Sequence, residues 1–341
     1  MRHPHDAFGS AGDLDFAAAV TAQQAEQRSR LDKAVTTPFR QTAYVLAALY
    51  CTTLALVAAI VKVWFRPVPG PIERALSEIY HYVPEMALHK TIELHAFMTQ
   101  PLVGCGLDLG CGDGCVGGVL IRMGRLRELH GVDQNPGCEA SVLANGYAGF
   151  RVGDVQSLDN YPEGSFDYAI SICVVEHVRD LGRTLRGVAR VLKPGGRFVF
   201  STPAPRFRDS TLGFRVLASV GRGDQARAFQ RAKDASCMHF HYYSADRWRS
   251  LLEDAGFETI TVTPIFSRAQ LLAYDLMNIQ VNWMQFYFAD KLSRLLQRRG
   301  MLRRAMIAAT ATLSAHLGRT RAALASEDAT HLLVSCTKRL A

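Results

Sequence analysis

The chain has 341 residues, 48% of them apolar, enough for a sizeable core and for a domain of about 200–250 residues with additions. Its formal charge of +8 suits an anionic neighbour, either nucleic acid or a lipid surface. Eight cysteines contain no C-x-x-C pair and several fall inside apolar runs, so they read as reduced thiols of a cytosolic compartment; a zinc finger and a disulfide frame are excluded, and no metal centre is expected.

Residues 1–40 are polar, lack the early apolar core of a signal peptide, and read as a largely disordered tail. Residues 43–61, AYVLAALYCTTLALVAAIV, carry no charge and are closed by Arg40 on one side and by Lys62 and Arg66 on the other. Trp64 and Phe65 stand where interfacial aromatics belong, and Pro67-Val68-Pro69-Gly70 ends the helix. At 1.5 Å per residue the run spans roughly 28 Å, so 41–66 is expected to be a transmembrane or membrane-anchoring helix. Basic residues flank both ends, which leaves its orientation open.

The pattern then alternates. Residues 71–98 read as an N-terminal helix, a lid on the alternating domain. Apolar runs at 103–109, 129–132, 149–152, 166–172 and 197–201 are separated by helical stretches at 115–123, 136–143 and 176–192. Strands alternating with helices predict a parallel sheet with right-handed crossovers. A helix at 244–255, a sixth strand at 257–262 and a closing strand at 331–337, HLLVSCT, complete seven strands. The interval 263–330 is too long for a turn and is expected to be a helical insertion, a candidate substrate cap or membrane-docking lid. It contains a Leu-, Met- and aromatic-rich stretch at 265–296 and a basic amphipathic run at 298–321.

The chemistry gathers at strand ends. The first strand runs into Asp108-Leu109-Gly110-Cys111-Gly112-Asp113-Gly114, where glycines permit a sharp turn and close approach of a ligand. The next helix offers free N–H groups to it. Cys115 stands where G-x-G-x-x-G needs its last glycine, so the dinucleotide fingerprint fails, and no phosphate-binding P-loop motif occurs. Asp133, nineteen residues after Gly114 and followed by Gln134, is placed to accept both ribose hydroxyls of an adenosine. Asp154 and Val155 close the third strand, where a carboxylate can meet an adenine amine.

These motifs resemble the class I S-adenosylmethionine (SAM)-dependent methyltransferases, most closely the small-molecule group that includes quinone-biosynthesis and sterol enzymes. The resemblance covers about 102–262, with 331–337 similar to the family's antiparallel last strand. Ser165-Phe166-Asp167-Tyr168-Ala169-Ile170, Val174-Val175-Glu176-His177-Val178 and Val191-Leu192-Lys193-Pro194-Gly195-Gly196-Arg197 are further landmarks. The resemblance implies a Rossmann-like seven-stranded α/β fold and SAM as cofactor. It assigns Asp108 and Gly110 to the SAM amino group, with Cys111, Gly112 and Gly114 in the same turn. Asp133 and Gln134 would serve the ribose, Asp154 and Val155 the adenine, and Cys173 the cleft near the methionine.

Methyl transfer from a sulfonium needs alignment, and a base only where the acceptor must lose a proton. Candidates are His177, His239 and His241, with Glu176 and Tyr242 as lesser options; the alternation of His239 and His241 with Phe240 and Tyr242 would put both imidazoles on one face. No Asn/Asp-Pro-Pro-Tyr follows the fourth strand and no Pro-Cys pair exists, which argues against nucleic-acid methylation. The expected acceptor is a membrane-resident lipophilic molecule (quinone, isoprenoid, sterol or other lipid), with the catalytic domain facing the cytosol. The alternatives are a soluble acceptor, with the anchor serving only localisation, and a membrane adaptor that keeps the fold without activity.

Overall fold

A computed structural model describes residues 37–278, 296–297, 300–318, 324 and 328–340. Three helices lead: α1 (Thr37–Phe65), α2 (Pro71–Tyr80) and α3 (Pro84–Phe97). The expected single helix over 71–98 is therefore two. Pro84 has no N–H and disfavours a helical residue before it, and Val83 is bent out at φ −138°, ψ 67°. Each new helix places its proline in the first turn, where no N–H is needed.

The alternating part follows as β1 (Cys105–Leu109), α4 (Cys115–Arg122), β2 (Glu128–Asp133), α5 (Glu139–Ala144), β3 (Gly149–Val152), β4 (Phe166–Ile172), α6 (Leu181–Val191) and β5 (Leu192–Pro203). The helix expected over 176–192 starts later, where Asp180 caps α6 by accepting the Arg183 N–H at 2.9 Å; Val175–His177 form a separate single turn. Three helices then leave the sheet: α7 (Phe207–Ser210), α8 (Leu212–Ser219) and α9 (Gly223–Cys237). The chain returns through α10 (Ala245–Asp254), β6 (Phe257–Ser267), α11 (Arg268–Met277), α12 (Gly300–Leu317) and β7 (Ala329–Lys338).

The sheet order is β3-β2-β1-β4-β5-β7-β6, with β7 antiparallel to both of its neighbours and the rest parallel. Seven strands in a Rossmann-like sheet are as expected. After β1 the chain winds to one side and after β3 to the other, so the switch point lies beyond the carboxyl ends of β1 and β4, where open α/β sheets bind ligands. Strand β6 runs past the expected end at 262; Pro264 is tolerated because β6 is an edge strand, where its missing N–H costs no ladder bond.

Both faces of the sheet are covered. On one, Leu107, Leu109, Phe198, Phe200 and a fully buried Trp248 pack under α6 and α10. On the other, Leu129, Ile170 and Val199 lie in one cluster with residues of α1, α2, α3 and α12. The described helices of the insertion, α11 and α12, pack against the leading helices, α12 on all three and α11 on α3. Residues 1–36 and 279–295, which hold the expected tail and most of the apolar half of the insertion, lie outside the described residues, as do Arg298, Arg299 and 319–321 of the basic run.

The expectation of a free membrane span needs correction. Helix α1 forms, but Tyr50, Cys51, Leu54 and Ala58 bury one face in the protein core. Among the described residues no helix is long and apolar enough to cross a membrane. The opposite face of α1 stays exposed, with Leu56, Ile60, Val63 and Trp64 open to solvent.

Candidate active site

The turn after β1 is shaped by backbone. Gly110, Gly112 and Gly114 hold φ of 72°, 55° and 75°, the left-handed region that side chains rarely enter. At Gly110 a Cβ would also come within 2.7 Å of the Val174 side chain. The Gly110 and Cys111 N–H groups donate to the Val132 carbonyl at 2.8 and 3.2 Å, tying this turn to the end of β2. There the Asp133 carboxylate accepts the Gly112 N–H at 2.9 Å on one oxygen and the Asn135 N–H at 3.0 Å on the other. Each oxygen keeps a lone pair.

Asp108 is buried and accepts the Tyr147 hydroxyl at 2.6 Å. Burial pushes its carboxyl up to about 7, the Tyr147 bond opposing and the Asp133 charge adding to the rise. Asp154, at the end of β3, accepts the Gln156 N–H at 2.9 Å and its side-chain amide at 3.0 Å, beside a buried Val155. Gln134 is exposed. The residues expected around a cofactor thus stand at the carboxyl ends of β1 to β4, in one row along the switch point.

Cys173 follows β4 with φ of 56°, an uncommon value outside glycine. Its thiol donates to the Glu93 carboxylate at 2.8 Å. The same Glu93 oxygen accepts the Ser201 hydroxyl at 2.5 Å, and the other takes the Lys90 ammonium at 2.7 Å. Burial alone would raise the Glu93 carboxyl, but Lys90 and these hydrogen bonds hold it well below the usual range. This buried ion pair joins α3 to the ends of β4 and β5.

One step along, Glu176 is buried with one carboxylate oxygen unpartnered. Burial pushes its carboxyl up to about 8, and Glu93 nearby adds to the rise. The His177 and His239 rings lie beside it, with centroids 4.8 Å apart. Tyr242 donates its hydroxyl to Asp234 at 2.7 Å, so its oxygen accepts from His239 Nδ1 at 2.8 Å, leaving Nε2 of His239 as the basic nitrogen. Burial, with His177 adding, lowers His239 to about 4. His241 does not join them: its Nε2 donates to the Val178 carbonyl at 2.6 Å and its ring stacks on Tyr243. Residues 239–244 form no strand, so the alternation that would put both imidazoles on one face does not apply.

From His239 a chain of rings leads inward, through Phe207 at 5.9 Å to His331 at 5.4 Å and His89 at a further 4.9 Å. Tyr274 and Phe266 flank His89. Burial holds His89 down at about 4 and His331 well below its ordinary value, so both rings stay neutral. The inner part of the region is aromatic, with the Lys90–Glu93 pair on one side and Lys233, Arg208 and Asp234 against Phe207 and Tyr242 on the other. A separate cleft of about 570 Å³, lined by Arg206, Asp209, Asp246 and Arg249, shares none of these residues.

Sequence reasoning missed His89, Lys90, Glu93, Ser201 and His331. They come from α3, β5 and β7, far from the glycine turn and from one another, and no spacing joins them. Two groups here have metal-ligand composition, His89/Glu93/Cys173 and Glu176/His177/His239; in the first, Lys90 already neutralises the carboxylate.

A family model described as "Methyltransferase domain" matches residues 80–262, more than half of the chain. The chain belongs to the class I SAM-dependent methyltransferases. The cofactor of this methyltransferase is SAM, in keeping with the glycine turn and Asp133.

Among curated proteins the methyltransferase is similar to the ubiquinone biosynthesis O-methyltransferase of Xanthomonas oryzae pv. oryzae, at 36% identity over 132 residues, 37% of this chain and 52% of that one. It is similar to a probable S-adenosylmethionine-dependent methyltransferase of Mycolicibacterium smegmatis at 29% over 170 residues, 50% and 58% of the two chains. The chain thus spans about half the length of the curated relatives it matches. Among solved structures it resembles a SAM-dependent methyltransferase, possible histamine N-methyltransferase, of Thermotoga maritima, with TM-score 0.44, 16% identity, and 77% and 92% of the two chains covered. It also resembles phosphoethanolamine N-methyltransferase 2 of Haemonchus contortus in complex with S-adenosyl-L-methionine, with TM-score 0.43, 16% identity, and 74% and 53% covered.

Proposed function

We propose that this methyltransferase moves a methyl group from SAM to a hydroxyl on a lipophilic aromatic small molecule. The observation that carries the reading is the adjacency of two unlike half-sites: a backbone-built turn with Asp133, and a buried, ring-lined region where one Glu176 oxygen lacks a hydrogen-bond partner. The curated relatives named O-methyltransferases of ubiquinone biosynthesis support an oxygen acceptor on a quinone-type ring.

The residues present fit the cofactor. Three left-handed glycines leave a cradle without Cβ atoms, and each Asp133 oxygen retains a lone pair for a ribose hydroxyl. Asp108 would hold the amino group, with Gly110, Cys111, Gly112, Gly114 and Gln134 around it. Asp154 and Val155 would hold the adenine, and Cys173 the methionine side. SAM supplies an electrophilic methyl on a sulfonium and leaves as a neutral thioether. As the oxygen–methyl bond forms, the acceptor hydroxyl must release its proton. Glu176, whose carboxyl titrates near 8, takes that proton on its unpartnered oxygen. His239 and His177, both lowered by burial, stay neutral and line the path. The Lys90–Glu93 pair fixes Cys173 and Ser201, and so the wall between the half-sites.

A lipid-surface location is supported by α1. Trp64 is 78% exposed, Val63 72% and Leu56 61%, a larger apolar surface than scattered singles would give. Lys62 and Arg66 flank it, and exposed Met301, Arg303 and Arg304 continue the pairing of apolar and basic residues on α12. Such a face suits docking on an anionic leaflet from the cytosolic side, without spanning it.

The test is incubation with SAM and a prenylated hydroxybenzene held in anionic vesicles, read by mass spectrometry. A mono-O-methylated product supports the reading. Methylation of short water-soluble phenols alone would turn it to the soluble-acceptor alternative, and absence of both SAM binding and product to the adaptor.

A further inference from the structure

At the end of the sheet opposite the glycine turn, β1 and β2 begin side by side. Cys105 pairs in register with Glu128, and two residues on, Leu107 pairs with His130. Side chains two apart on a strand share a face, so Glu128 and His130 point the same way. The Cys105 thiol, a Glu128 oxygen and a His130 ring nitrogen all lie within 4.8 Å of one another. Glu128 is more than half exposed and His130 about one-third, so an ion has access from solvent.

Thiolate, imidazole and carboxylate are the three side-chain ligand types of zinc, and tetrahedral ligands at the usual bond lengths sit about 3.5 Å apart. One pair already stands at that spacing, with His130 Nε2 3.5 Å from a Glu128 oxygen. The nearby Asp167 accepts the Cys105 N–H at 2.9 Å and pairs with Lys193 at 2.7 Å, so it neutralises that ammonium. The Phe166 ring lies 6.0 Å from His130 and closes the inner side.

We propose that Cys105, Glu128 and His130 form a site for a zinc-class divalent cation, with its fourth position open to water. Nothing in the methyl-transfer reading uses these residues, and the site lies at the far end of the strands. On binding, the metal–sulfur bond replaces the S–H bond and the proton leaves to solvent. The ion would pin the start of β1 to the start of β2 and stabilise the folded chain by mass action. Sequence spacing hides the site, because position 105 and positions 128 and 130 meet only through strand pairing.

The experiment is titration of the metal-free full chain with Co2+, read by the thiolate-to-cobalt absorption band, and with Zn2+, read by the thermal midpoint. About one equivalent should develop the band and Zn2+ should raise the midpoint. Both responses should vanish in Cys105→Ser, weaken in Glu128→Gln and His130→Asn, and persist in Cys173→Ser. No band in the wild type overturns the proposal. So does a band that survives in Cys105→Ser or is lost in Cys173→Ser, which would move the ion to the buried cluster. Should Cys105→Ser fail to fold, the exposed Glu128→Gln decides: unchanged Co2+ affinity there contradicts the site.

Discussion

The two halves of the candidate site are built from different material. The cofactor half is backbone: left-handed glycines, N–H groups on Asp133, and carbonyls that tie β1 to β2. The acceptor half is side chains: a buried ion pair, an unpartnered carboxyl, and imidazoles kept neutral by burial. Backbone geometry tolerates no change of residue class at its few critical points. Side-chain geometry can be retuned residue by residue, and so can specify an acceptor while the cofactor site stays fixed.

The sharpest way to break this contrast is Glu93→Ala, which leaves the Lys90 ammonium buried without a partner. It should cost about 3–5 kcal/mol of stability, seen in urea unfolding, with SAM affinity per folded molecule largely kept. A change below about 1 kcal/mol would mean that the pair is hydrated and the acceptor half more open than described.

Glu85 lies on the same helix, fully buried with neither oxygen partnered, and burial pushes its carboxyl from 4.5 up to about 7. The native state therefore holds a proton that the unfolded chain releases, so stability falls as pH rises from about 4.5 to 7 and levels above. Glu85→Gln should remove that slope and gain on the order of 3 kcal/mol at pH 8, measured by unfolding across pH. An unchanged pH profile would show that Glu85 is ionised in the fold.

On the cofactor side, Asp133→Ala removes the acceptor of both ribose hydroxyls. SAM affinity should drop on the order of 1,000-fold by calorimetry with the fold retained. A drop of less than tenfold would displace Asp133 from the ribose.

Within the acceptor half, Glu176→Gln should lower the turnover rate about 100-fold at pH 8 and leave SAM affinity unchanged. The wild-type rate should rise with pH, half-maximal near 8 as Glu176 ionises and level about one unit above, and the variant should lack this limb. A variant with the wild-type pH profile would pass the base to another group.

The smallest effect is expected outside both halves. Trp64→Ser should weaken binding to anionic vesicles about tenfold, a fraction of the transfer energy of a buried aromatic ring. Equal binding would leave the apolar face of α1 to another occupant.

The contrast also explains what could be read beforehand. Gly110, Gly112, Gly114 and Asp133 are legible because a sharp turn and a strand-end carboxylate demand particular residues at local spacing. Lys90, Glu93, Ser201 and His331 are not, since α3, β5 and β7 meet only in the folded chain. The expected pairing of His239 with His241 failed because 239–244 is a loop, not a strand, whereas His177 and His239 do meet. The apolar run at 43–61 marks a helix correctly but is silent on which of its faces the domain takes.

The most direct measurement is transfer of labelled methyl from SAM into a total host extract, separated into organic and aqueous phases, with Asp133→Ala as control. The account predicts label in the organic phase that the variant loses. Label confined to the aqueous phase, or label that survives Asp133→Ala, would contradict it.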